Sequence, residues 1–473
     1  MKYSLINTSV TTIDSQKIWM IRDAEGNRYL QSDRPIKALK SENNDNIYLL
    51  SPENAKWLRS QIPWLNPQPL GLKTSVGTGD RLGISTPGHI RAFQGTQISP
   101  VLAQQSVREL IRTHRTAQMV LDDAMWGVFE AGWNHPWGAD ADHLKTTDDM
   151  REYYKAGFTF FTIDPGEYVK NLNSLDNIPL QSLLNSIDYD LLATSESELI
   201  NNYTHFPDSL DFITASEQDI KRAFIKYGGA IHHVQKMYFQ LKSWMGNKPF
   251  DFEVSVDETD EPTTIFEHYF IVCELKRLGI EWTSLAPRFV GKFEKGVDYQ
   301  GDLHEFESEY RKHAAIQKYF GNYKISIHSG SDKFSIYKIC AVNSEYKTHL
   351  KTAGTSYLEA LRIIATVDPE LFRKIYDLSM NRYEIDKASY YVSAHPENLP
   401  KISSLADDRL PDLLNQFDSR QVLHVCFGAV LDQYGSDILH DLNRNYDLYL
   451  DDLEKHLRKH LQDFIYSKPA EES

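Results

Sequence analysis

Cysteine is scarce: Cys273, Cys340 and Cys426 are the only three in 473 residues, and none sits in a CxxC pair. An odd, scattered set excludes a disulfide framework and a thiolate zinc cluster, and it points to a reducing cytoplasm. Long apolar runs are missing too. Nothing approaches the roughly 18 residues of a membrane span. The opening MKYSLINTSVTTIDSQKIW lacks a basic end followed by an apolar stretch, so a secretory leader is not expected. Long basic runs are also absent, and the formal net charge is −15. A nucleic-acid partner and a membrane-surface partner are therefore not expected. Repeats and low-complexity segments do not occur.

What is present is an ordinary globular composition, 41% hydrophobic and 25% charged, on a chain long enough for a large core. Residues 1–70 mix strand-like pieces (KIWMIRD, NIYLL) with Pro63, Pro67 and Pro69, and read as an N-terminal extension packed on the main domain. From Lys73 onward, short apolar or alternating runs end in polar clusters and are followed by helical patterns, the rhythm of βα units. Eight runs qualify as strands: 73–80, 137–144, 158–164, 250–257, 281–287, 324–330, 348–354 and 422–428. Eight parallel strands with intervening helices predict a closed (β/α)8 TIM-type barrel over 71–440, with an open doubly wound sheet as the alternative. The segment 167–247 exceeds a normal connection and reads as a mainly helical insertion. Within it, Ile220, Phe224, Ile231, Val234 and Leu241 keep a helical period. Thr264 to Glu267 and Ser356 to Glu359 read as capping boxes. Leu450, Leu453, Leu457 and Leu461 mark a C-terminal helix within 441–473.

The chemistry-bearing residues collect at strand ends. In FDFEVSVDE, Phe252, Val254 and Val256 alternate with Asp251, Glu253, Ser255 and Asp257, so a strand turns the carboxylates to one face. In a barrel that face is the interior, where a carboxylate must be paired or bound to metal. A solvent-facing antiparallel strand would alternate in the same way. Strand 324–330 brings His328, strand 348–354 brings His349 and Lys351, strand 137–144 ends near Asp140, Asp142, His143 and Lys145, and strand 422–428 holds His424. Nitrogen and oxygen donors of this kind suit a divalent cation, with Zn, Mn, Fe, Co and Ni not distinguished. His143, His328 and His349 are the candidate ligands, with His424 in reserve. Asp80 and Glu253 are the candidate acid/base pair, and Glu253 or Asp142 could instead complete the metal shell. Arg81, Lys145, Arg288 and Lys351 are candidate anchors for an anionic substrate. The loop Gly77 to Gly83 departs from a dinucleotide fingerprint, with its third glycine late and Pro87 where the helix should begin. His456 and His460, four apart and without an evident third ligand, read as a solvated helix face. The group Trp126, Trp133 and Trp137 reads as core.

The stretches SVGTGDRLGISTPGHIRA, DDAMWGVFEAGW, WGADADHLKT, GFTFFTIDPG, KISIHSGSDK and HLKTAGTSYLEALR, collinear over most of 71–362, resemble the tagaturonate epimerases, also described as hexuronate C4-epimerases. LHVCFGAVL extends the resemblance. It implies a divalent-metal isomerase that interconverts D-tagaturonate and D-fructuronate, keto sugar acids of hexuronate breakdown. The inverted carbon lies one position beyond the carbon next to the ketone, so removal of an acidic α-proton cannot invert it. Retro-aldol cleavage and re-addition would. A class II-type aldolase, a ketose isomerase and a non-catalytic sugar-acid sensor are the alternatives.

Overall fold

The computed structural model describes residues 3–41, 46–172, 179–185 and 189–466. The remaining parts of the N-terminal extension, the insertion and the C-terminal tail lie outside the described residues. Four antiparallel strands come first, in the order β1 (Ser4–Ile13), β2 (Gln16–Arg22), β3 (Arg28–Ser32) and β4 (Ile47–Tyr48). This sheet rests on the helices around the main sheet. Thr8 Oγ1 donates to the carbonyl of Glu130, and Arg28 pairs with the Glu130 carboxylate at 3.0 Å.

Eight parallel strands then close into a barrel: β5 (Ser75–Thr78), β6 (Ser99–Ser106), β7 (Gly138–Leu144), β8 (Phe160–Ile163), β9 (Asp251–Val256), β10 (Ser284–Pro287), β11 (Lys324–Ile327) and β12 (Thr348–Thr352). Closure is made by β12 against β5, where His349 pairs with Ser75 and Lys351 with Gly77. Helices follow the strands at Thr86–Phe93, Val107–Thr113, Ala117–Ala131, Thr147–Ala156, Ile265–Arg277, Leu303–Phe320, Tyr337–Asn343 and Thr355–Val367. The long connection after β8 carries helices at Leu180–Asn185, Glu196–Asn202 and Glu217–Met245, the last capped by Ser216. Thr264 and Glu267 form the expected capping box. The expected box at Ser356 does not form. The helix starts two residues earlier than that box requires, at Thr355 behind Gly354, and Glu359 pairs with Arg362 at 2.7 Å instead.

One strand assignment is corrected. Residues 422–428 are not a strand but the junction of two helices, Phe417–Val425 and Phe427–Arg444. The run VLHVCFG is apolar because the helix is buried all round, and a short apolar run cannot be told from a strand by periodicity. The strand missing from the sequence reading is β6, SPVLAQQS. Its Pro100 and two glutamines hide it, yet Pro100 is tolerated beside the strand's first residue.

Inside the barrel, β9 sets polar side chains at three heights. Asp251 closes the bottom, accepting from the backbone N–H of Leu70 at 2.6 Å and of Gly71 at 3.0 Å. Glu253 occupies the middle and Asp257 the mouth. Phe252 and Val254 face outward into the main hydrophobic core. Trp137 lies in that core with its Nε1 donating to the Trp64 carbonyl at 3.1 Å.

Candidate active site at the barrel mouth

The C-terminal strand ends bring together His143 from β7, Asp257 just past β9 and His328 just past β11. Each offers one ligand atom, and these atoms lie within 4.8 Å of one another. Both imidazoles are held from behind by carboxylates. His143 Nδ1 faces Asp142 Oδ1 at 2.9 Å, and His328 Nε2 faces Glu253 Oε1 at 2.6 Å. The opposite nitrogens look into the site, His328 Nδ1 to Asp257 Oδ1 at 2.8 Å and His143 Nε2 to Glu258 Oε1 at 3.7 Å. Carboxylates that fix a ligating imidazole's tautomer and ring plane are the usual surroundings of a histidine-bound cation. The donor set therefore fits a divalent ion.

His143 reaches its place through backbone strain. Its φ is +54°, and the β7–β8 register shifts between Ala141 and Leu144. A bulge of this kind re-aims one side chain, and a non-glycine residue held at positive φ persists only where the surroundings enforce it.

Below the cluster, the Lys351 ammonium lies 2.6 Å from Asp142, 2.9 Å from Asp140 and 2.9 Å from Glu253, and donates to Thr162 Oγ1 at 2.6 Å. Burial opposes every charge here, and pairing outweighs it for Glu253 and His143 but not for Asp140. Burial would raise the Glu253 carboxyl, but Lys351 and His328 hold it well below the usual carboxylate range. Burial lifts Asp140 to about 7 in spite of Lys351. Burial would lower His143, yet Asp142 holds it at about 10.

The remaining sequence candidates lie elsewhere or are already engaged. Asp80 accepts from the N–H groups of Leu82, Gly83 and Ser85 and from the Ser85 hydroxyl, and so fastens the loop after β5. Arg81 is pinned to Glu109 at 2.9 Å and stacked 3.7 Å over the Phe427 ring. Lys145 is half-exposed and pairs with Glu167 at 3.1 Å and with the buried Asp164 at 3.6 Å. Arg288 lines the open cleft. His349 bonds Ser75 Oγ at 2.9 Å beside Phe160, deep in the barrel and outside the cluster. His424 lines the inner chamber, but from a helix.

That chamber, about 30 Å³, is bounded by Gln104, Asp142, His143, Lys295, His328, Lys351 and His424 among others. It continues through Lys295, His328 and Ser329 into an outer cleft of 540 Å³ walled by Arg108, Glu258, Arg288, Phe293 and Tyr390. Burial and then the Arg108 guanidinium pull Lys295 below the ordinary lysine value. Sequence reasoning missed Gln104, because β6 was missed, Arg108, because it opens the helix that follows that unrecognised strand, and Lys295, because it lies in a connection without a local pattern. A separate 620 Å³ cavity under the insertion has its buried cation, Lys226, already paired with Glu267 at 2.8 Å.

His456 and His460 are not on a solvated face. Both are buried and meet Asp332 in the loop after β11, a second group of candidate ligand type. Every contact there is closed. Asp332 accepts from His456 Nε2 at 2.9 Å and Arg420 Nη2 at 2.8 Å, while its own N–H donates to His460 Nε2 at 2.9 Å.

Comparison with known proteins follows the same lines. The tagaturonate epimerase family profile matches residues 6–464. A curated tagaturonate/fructuronate epimerase of Thermotoga maritima is 43% identical over 415 residues, covering 86% of this chain and 84% of its own. The glycerol-complexed crystal structure of fructuronate-tagaturonate epimerase from Cohnella laeviribosi superposes with a TM-score of 0.90 at 33% identity, covering 98% of this chain and 96% of that one. The native structure of the same enzyme gives 0.86 at 33% identity with the same coverage. A match along nearly the whole chain, on a closed barrel with its polar cluster at the mouth, means that this protein belongs to the tagaturonate epimerase family.

Proposed function

We propose that the protein interconverts D-tagaturonate and D-fructuronate at the barrel mouth, using a divalent cation held by His143, Asp257 and His328. The observation that carries this reading is the cluster of two carboxylate-backed histidines and Asp257, open to a 540 Å³ cleft. A cation there supplies Lewis-acid polarisation of a ketone oxygen. Glu253 and Asp142 orient the two imidazoles, and Lys351 balances the carboxylates beneath them.

The sugar acid lies with its carboxylate toward Lys295 and Arg108, two cations on one wall of the cleft. They take the place of Arg81 and Lys145 because both line the chamber or the cleft, which Arg81 and Lys145 do not. Glu258, at the mouth and facing His143, takes the proton from the hydroxyl on the stereocentre. The bond between the α and β carbons then breaks, leaving its electron pair on the enediolate fragment and an aldehyde on the other. The aldehyde turns, the bond re-forms on its opposite face, and the proton returns to the new alkoxide. Assigning Glu258 rather than Asp80 or Glu253 follows from access. Asp80 is locked in its loop, and Glu253 is wholly buried against His328 and Lys351. Three free cysteines suit the reducing cytoplasm in which such catabolic chemistry would run.

The test incubates metal-stripped and metal-restored protein with D-tagaturonate and separates the six-carbon acids by chromatography. D-Fructuronate appearing only after metal is restored is the expected result. Release of three-carbon fragments would mark an aldolase instead, and no turnover with metal present would sink the reading. Glu258→Gln should slow turnover by about two to four powers of ten while metal stays bound.

A further inference from the structure

We infer that Gln104 is a substrate-binding residue whose amide grips one hydroxyl of the sugar acid in the inner chamber. The inference rests on the proposed function above, which places the substrate there.

Gln104 stands on β6 in register with Asp140 on β7. It is 1% exposed and lines the chamber beside Asp142, His143 and Lys351. Neither its Nε2 nor its Oε1 has a hydrogen-bond partner among the described residues. Buried amides are rarely left this way, because an unpaired polar atom forfeits its hydration for nothing. Gln421, equally buried, shows the ordinary arrangement: its Nε2 donates to Glu294 at 2.8 Å and its Oε1 accepts from the Ser393 N–H at 3.0 Å.

The barrel makes room for the Gln104 side chain at the expense of a neighbour. A Cβ on Gly77 would stand 1.6 Å from Gln104 Oε1, so any larger residue at that point of β5 would push the amide out of its present place. Much of the rest of the chamber wall is charged and already paired. Lys351 is shared by three carboxylates, His143 and His328 face carboxylates, and Lys295 donates to Ser329 Oγ at 2.7 Å. His424, the third histidine of the wall, has one unpaired ring nitrogen, Nδ1. Gln104 has both its neutral donor and its neutral acceptor unpaired, side by side. That pair matches a hydroxyl, which can accept and donate at once, better than it matches a carboxylate or a cation.

Gln104→Met keeps the length and removes the amide. The expected result has three parts: metal content is unchanged, Tm is equal or higher because an unpaired buried amide is gone, and kcat/KM for D-tagaturonate falls about ten- to a hundredfold. A set of substrate analogues, each lacking one hydroxyl, then identifies the contact. One deoxy compound should lose that same factor against the wild-type protein and lose nothing further against the variant. Gln104→Asn, which keeps the amide but shortens its reach, gives the same comparison if Gln104→Met does not fold. An active wild-type protein with an unimpaired variant would overturn the Gln104 assignment alone, as would an equal loss for every analogue. A lower Tm accompanying the lost activity would also overturn it, by marking a structural role. A wild-type protein inert toward D-tagaturonate with metal supplied would overturn the epimerase reading and the Gln104 assignment together.

Discussion

Two clusters in this molecule use the same residue types to opposite ends. His143, Asp257 and His328 at the barrel mouth turn their ligand atoms toward a cleft. Asp332, in the loop after β11, and His456 and His460 on the C-terminal helix turn theirs toward one another and toward Arg420, until each is consumed. Composition therefore does not separate a cation site from a structural clamp. What separates them is the surroundings: Arg420 and the Asp332–His460 bond close the second cluster, whereas Asp257 and His328 of the first border an open cleft.

The sharpest way to break this contrast is His328→Ala. If the mouth holds a catalytic cation, the variant should lose bound metal and lose activity by about three powers of ten or more, the worth of several kcal/mol of charge stabilisation, with the fold retained. Metal content by atomic emission beside a circular dichroism melt decides it, and wild-type metal content would remove His328 from the ligand set. His456→Ala should do the reverse. It leaves Asp332 and Glu359 buried with one partner fewer, so denaturant unfolding should show a loss of about 3 kcal/mol. Metal stoichiometry should not change. Loss of metal with stability intact would make the Asp332 cluster the cation site.

A third set of histidines refines the comparison. His268 and His313 meet at 2.8 Å without a carboxylate between them. Burial pulls His268 well below the ordinary imidazole value and His313 to about 3. Below the unfolded-state value of about 6.5, the unfolded chain binds protons that the folded chain refuses, so stability is full above that pH and falls as pH drops toward 3. His313 should remove about 2 kcal/mol between pH 7 and 5, and His268 acts in the same direction. His313→Gln should flatten the slope of unfolding free energy against pH, and a slope unchanged by that variant would refute the assignment. The smallest expected effect is at the cleft wall. Lys295→Met should raise KM for the sugar acid about tenfold, the worth of one hydrogen bond to a charged group, and leave kcat nearly untouched. A neutral ketose tested alongside should not register the change.

The barrel was legible because most of its strands alternate or run apolar between polar ends. Polar residues at strand ends were legible for the same reason, which is how His143, His328, Glu253 and Lys351 were found. Two kinds of information were not in the local pattern. Helix Phe417–Val425 is apolar because other helices cover it, so its burial imitates a strand, while β6 carries Pro100, Gln104 and Gln105 into the barrel and imitates a loop. Partnership was equally invisible. Nothing near Asp80 in sequence says that its carboxylate is spent on three backbone N–H groups, and nothing near His460 announces Asp332, 128 positions away.

The seam between β12 and β5 joins residues 348–352 to 75–78. On a ribosome making about 5–20 residues per second, the edge of β5 waits on the order of tens of seconds for its partner strand to emerge. Until then Ser75–Thr78 is an open edge with unpaired backbone groups, the kind of surface on which nascent chains associate. The same seam that completes the catalytic mouth makes this a slow, non-local fold whose half-made forms need protection.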